Sequence, residues 1–94
     1  MPAHTMTLEQ RQTLYDTFRQ TLSGGRIELM PAVQELDARI RGRLIYRITI
    51  SDHFHKESDH SNGAFVFAGF RVFWEIHMEH NGLVMLVGIQ EHVA

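Results

Sequence analysis

Apolar residues recur at three- and four-residue spacing through Leu8, Leu14, Tyr15, Phe18 and Leu22, with Arg11 in the same stripe, which predicts an amphipathic helix over residues 8–23. Thr7 followed by Gln10 forms a capping-box pattern at its start, and Gly24-Gly25 supplies the positive φ that helices favour just past their end. Residues 26–30 alternate, with Ile27 and Leu29 on one side of Glu28, as a short strand does. Pro31 opens a second, short helix carrying Val33, Leu36 and Ile40, with Gly42 as its stop. Leu44, Tyr46, Ile48 and Ile50 then share one face at period two, which predicts a strand over 44–50, although Leu44-Ile45 would equally extend the helix. Residues 51–62 are polar and aperiodic, a loop.

The last third of the chain reads as a three-stranded antiparallel meander. Asn81-Gly82 is a strong two-residue hairpin signal, because a type I′ turn needs positive φ at both central positions. Centring turns on Asn81-Gly82 and on Ala68-Gly69 sets His80 opposite Leu83, Met78 opposite Met85, Phe67 opposite Phe70 and Phe65 opposite Val72. Both turns then place Phe65, Phe67, Phe70, Val72, Trp74, Ile76, Met78, Met85, Val87 and Ile89 on one face. A one-residue slip would expose the whole set, so the register is strongly specified, and the first helix is expected to cover this face. The other face carries Ala64, Val66, Arg71, Phe73, Glu75, His77, Val84 and Leu86, too apolar for a purely solvated side. The second helix is expected to cover it; failing that, Phe73, Val66 and Leu86 are left as anchors for a partner. The fold class is therefore α+β, an N-terminal helix on an antiparallel sheet ending in a meander. Residues 1–94 form a single domain, and residues 1–6 a flexible N-terminus.

Composition narrows the function classes. The 94 residues contain no cysteine, which excludes disulfides, thiolate nucleophiles and thiolate metal sites. No apolar stretch approaches the roughly 20 residues of a membrane span, and the first residues lack the pattern of a secretory signal, so a bacterial cytoplasmic location is expected. A net charge of −2 is too near balance for the basic footprint of a nucleic-acid binder, so no direct nucleic-acid contact is expected. The distribution is uneven: Arg39, Arg41, Arg43 and Arg47 crowd one segment, while Asp52, Glu57 and Asp59 follow it. All but one of the 9 basic residues are arginine, which suits bidentate protein contacts.

Seven histidines is a high count for this length. His53-x-His55 in an extended segment points both rings to one side, and His60 would complete a zinc triad, the single cofactor reading that the residues offer. No nucleophile elbow and no Gly-rich phosphate loop occurs, and Glu75 with His77 is a pairing that chance supplies often, so no catalytic residues are assigned.

Phe18-Arg19 with Gly24-Gly25-Arg26, Pro31-Ala32-Val33 with Leu36, Ser51-Asp52-His53-Phe54, His60 to Gly63, Phe65, Gly69 and Phe73-Trp74-Glu75-Ile76, with Val84 to Glu91 as a closing apolar strand, together resemble a family of small bacterial proteins known as domain of unknown function 3768. The chain departs from that pattern at Ser61-Asn62, at Glu75 where the family has lysine, and at His77-Met78-Glu79; a long acidic insertion before the last strand is reduced to Asn81-Gly82. The resemblance carries no established activity, but it implies a setting on phages, plasmids and other mobile elements.

A small cysteine-free domain without a catalytic constellation is expected to act by binding. The leading expectation is a non-enzymatic inhibitor or modulator of a bacterial defence system, such as a CRISPR effector, in the manner of anti-CRISPR proteins, acting by stoichiometric occlusion. Arg39, Arg41, Arg43, Arg47, Asp52, Glu57, Asp59 and Phe73 are its expected contact residues. The alternative is a metal-binding or small hydrolytic protein built on His53, His55 and His60, with zinc as cofactor. A homodimer through the Phe73 face is compatible with either.

Overall fold

A computed structural model describes residues 6–90; residues 1–5, which make up most of the expected flexible N-terminus, and Glu91 lie outside the described residues. The first helix, α1 (Leu8–Thr21), begins as its residues require. Thr7 Oγ1 accepts from the Gln10 N–H at 3.0 Å while Gln10 Oε1 accepts from the Thr7 N–H at 2.9 Å. It ends two residues earlier than the spacing predicts, because Leu22 itself takes the left-handed cap conformation with φ 56°. Four strands form the sheet, β1 (Gly25–Leu29), β2 (Asn62–Phe67), β3 (Phe70–Glu79) and β4 (Gly82–Gln90), in the order β1-β4-β3-β2. The β2-β3-β4 meander is antiparallel as expected, and β1 joins β4 in parallel.

Between β1 and β2 the chain departs from the expected pattern. The second helix stops early as α2 (Pro31–Gln34), and a longer helix, α3 (Ala38–Thr49), starts from Asp37, whose carboxylate accepts from the Arg39 N–H at 2.8 Å. The expected strand over 44–50 is therefore helical as far as Thr49, with Ile50 capping the helix. Its period-two apolar set splits in the way a helix splits it: Leu44 and Ile48, four apart, are buried, while Tyr46 and Ile50 are 64% and 51% exposed. Gly42 does not stop this helix but lies inside it.

The two turns divide. Phe67 pairs Phe70 and Phe65 pairs Val72, with Ala68 at φ 54° and Gly69 at φ 83°, the type I′ geometry expected there. The second hairpin turns on His80-Asn81 instead of Asn81-Gly82: Glu79 pairs Gly82, Met78 pairs Leu83, Ile76 pairs Met85 and Trp74 pairs Val87. Gly82 supplies the positive φ, 121°, after the turn rather than inside it. The slip is two residues, so every side chain keeps its face and only the partners change.

The core forms on the expected face. Val72, Trp74, Ile76, Met85 and Val87 pack with Tyr15 and Phe18 of α1, Val33 of α2, and Leu44 and Ile48 of α3. Met78 and Phe70, at the strand ends, are exposed. Because α3 lies beside α1 in this layer, no helix remains for the other face; the expected cover is absent among the described residues.

Candidate functional site

The uncovered face is built from rows read across the sheet. One row is Glu28, Leu86, Glu75 and Asn62, and the next brings Gly88 and Phe73 together with Ala64. Met30 follows β1 and donates its N–H to the Val87 carbonyl at 2.9 Å, which sets it beside Gly88. A Cβ at Gly88 would run into the Phe73 ring and the Met30 sulfur, so this glycine is the saddle on which the two side chains meet. Val66 at the sheet's edge is 68% exposed. Val84 is buried beneath its row neighbours Arg26 and His77. The Arg26 guanidinium bridges Glu28 at 2.8 Å and Glu79 at 3.1 Å, and those bonds, Glu28 first, raise its pKa above its usual value. The result is an apolar strip of Leu86, Phe73, Met30, Ala64 and Val66 with charge of both signs along its margin.

On the helical side, the loop of residues 51–61 straps the end of the core. Phe54 inserts beneath it, edge-on to Trp74 with ring centroids 6.0 Å apart and stacked on His60 at 4.1 Å. The Arg19 guanidinium packs against both rings, 4.9 Å from the Phe54 centroid and 5.6 Å from that of Trp74, in a residue only 1% exposed. Arg19 Nη1 donates to Asp16 Oδ1 at 2.8 Å, and the same carboxylate takes His60 Nδ1 at 2.9 Å. Trp74 Nε1 and Arg19 Nε have no hydrogen-bond partner among the described residues. Gly63 makes room for the indole, since a Cβ there would come within 2.7 Å of it. Asp59 approaches Arg11 at 3.9 Å. Burial, and then Asp59, raise the Tyr15 hydroxyl above its usual pKa of 10.0, so it stays neutral there.

The residues expected to form a contact surface fall on two sides of the sheet. Phe73 is half-buried on the open face, whereas the arginines ride on α3 and the acidic residues on the loop, both on the helical side. Arg39 and Arg43 are exposed. Arg41 is committed within the fold, donating to the Gln34 and Leu36 carbonyls at 3.1 Å, and Arg47 stacks over Phe65 at 5.1 Å. Asp52 and Glu57 are exposed, and Asp59 is partly buried, accepting from the Ser61 N–H at 3.1 Å. His53 and His55 face solvent, while His60, held at φ 67°, turns inward to Asp16. Among the described residues no three His, Asp or Glu side chains converge in a way that would hold a metal ion.

Sequence reasoning missed Arg19 and Asp16. The one signal for Arg19 was its spacing, four after Tyr15 and three before Leu22, which puts a charged residue on the buried stripe. Gly88 and Met30 were missed as well, and they complete the cluster around Phe73. Comparisons with models of protein families, with curated proteins and with solved structures each find no match. Among the described residues no helix is long and apolar enough to cross a membrane.

Proposed function

We propose that this chain is a non-catalytic binding protein that docks its open sheet face on a partner protein, and that the partner is a bacterial defence complex blocked by stoichiometric occlusion. The observation that carries the docking is the one-sided layering. All three helices serve the core on one face, while Phe73, Met30, Ala64 and Val66 on the other have no cover among the described residues. An exposed apolar strip rimmed by polar groups is the usual mark of a protein contact. Phe73 is the anchor: it is aromatic, central, and seated over Gly88 in the position a partner would enclose. The partner surface this face fits is apolar at its centre, with acidic and basic groups opposite Arg26, Glu28, Arg71 and Glu75. The defence setting rests on the resemblance to mobile-element proteins.

The test is inhibition of purified CRISPR surveillance complexes and nucleases by the wild-type chain and by Phe73→Asp. The expected outcome is loss of target cleavage near one equivalent of wild type, and cleavage retained with the variant. If the wild-type protein leaves every complex active at stoichiometric excess, the defence reading fails. If Phe73→Asp inhibits as well as wild type, the docking face is wrong.

A further inference from the structure

β2 is an edge strand that pairs with β3 alone. The direction of its backbone groups follows from the ladder. Ile76 N–H donates to the Ser61 carbonyl at 2.6 Å, and Phe67 with Phe70 closes the tight turn, so Ser61, Gly63, Phe65 and Phe67 direct their backbone groups to β3. The N–H and C=O groups of Asn62, Ala64 and Val66 therefore point away from the sheet. No backbone group elsewhere in the described chain bonds to them. Edge strands are ordinarily guarded by charge, proline or a bulge. Residues 62–67 have none of these in the strand itself, and the loop of residues 51–61 and Arg47 flank them on the helical side without bonding the outward backbone groups, whereas β1 at the other edge carries Arg26 and Glu28 and runs into Pro31.

We propose that two copies of the chain pair β2 to β2, antiparallel, about a two-fold axis at Ala64, so that two four-stranded sheets become one. This inference is independent of the partner reading above. The register is selected by the backbone. Only the pairing that sets Ala64 on its own copy, and Asn62 on Val66, gives every outward N–H and C=O a partner. Side chains then keep their faces, as an antiparallel pairing of residues of equal parity requires. Phe65 of each copy comes beside Gly63 of the other, where the Trp74 indole already fills the space of the missing side chain.

Charge points the same way. On the open face, rows across the new seam read Arg71, Val66, then Asn62 and Glu75 of the second copy. Each row thus joins opposite charges, about three strand spacings or roughly 14 Å apart at the backbone. A register centred on Val66 would place Arg71 in line with Arg71, and one centred on Asn62 would place Glu75 in line with Glu75. The self-complementary arrangement is the isologous contact that closed dimers use, and it argues for a second copy over an unrelated strand.

Sedimentation equilibrium of the full chain tests this. The expected mass is twice 10.9 kDa for wild type. Ala64→Pro removes only an outward N–H and should sediment as a folded monomer with unchanged far-UV circular dichroism. Ala64→Lys sets two ammonium groups against each other at the axis and should weaken the dimer by more than roughly tenfold; it carries the test if the proline variant fails to fold. Slow exchange of the Ala64 amide in wild type, made fast in Ala64→Lys, is the local signature. A wild-type monomer at the highest soluble concentration overturns the proposal. So does a dimer that survives both substitutions, or one that Phe73→Asp breaks while Ala64→Pro does not.

Discussion

Arg19 is the residue on which the helical side turns. Its guanidinium is nearly inaccessible, with one carboxylate at 2.8 Å and two aromatic rings packed against it. A buried cation of this kind needs both its pair and its stacking to offset lost hydration. Arg19→Lys keeps the charge but replaces a plane by a point, so it should cost about 1–2 kcal/mol. Arg19→Ala removes the packing as well and strands Asp16 with His60 alone, at a cost of about 3 kcal/mol or more. Urea unfolding followed by the fluorescence of Trp74, the single tryptophan, measures both. A lysine variant as stable as wild type would mean that the rings contribute nothing specific. Arg19 went unread in the sequence although its spacing, four after Tyr15, puts it on the buried stripe. Its partners Phe54 and His60 sit far along the chain in a segment without periodicity, and no local pattern connects the two.

At the scale of elements, α3 separates two readings of the same residues. As a strand, Leu44, Tyr46, Ile48 and Ile50 would share one buried face; as a helix, only Leu44 and Ile48 are inside. Ile48→Ala should therefore destabilise by about 2–4 kcal/mol, while Tyr46→Lys should stay within about 0.5 kcal/mol of wild type. Equal losses at both positions, by chemical denaturation, would restore the strand. The ambiguity had a physical source. A run in which apolar residues fall at both two and four positions apart satisfies both periods, and Gly42 seemed a stop although it sits where nothing approaches it. What decides is tertiary: α1 leaves a second helical slot on the same sheet face. By contrast Ala68-Gly69 was legible because the turn chemistry is local, and the strand faces were legible because even a two-residue slip at His80-Asn81 preserves them. The open face itself was visible as a set of residues, yet not as uncovered, since that depended on where α3 went.

The whole molecule has two chemically different sides, and a partner meets one of them. The sheet side is an apolar strip with its margin charges, of which Arg26 is already paired with both Glu28 and Glu79. The helical side presents Arg39 and Arg43 on α3 and Asp52, Glu57 and two solvated histidines on the loop. Salt distinguishes them, because ionic strength screens exposed charge and leaves apolar burial nearly untouched. Between about 0.05 and 0.5 M salt the screening length falls from roughly 14 to 4 Å. Docking through Phe73 should change its dissociation constant by less than roughly threefold over that range, with any effect in the association rate. Calorimetric titration of the inhibited complex at both salt concentrations makes the measurement. A loss of more than roughly tenfold would move the contact to the charged helical side. In that case Arg43→Glu and Asp52→Lys would abolish binding, Phe73→Asp would spare it, and the open sheet face would be left to another role.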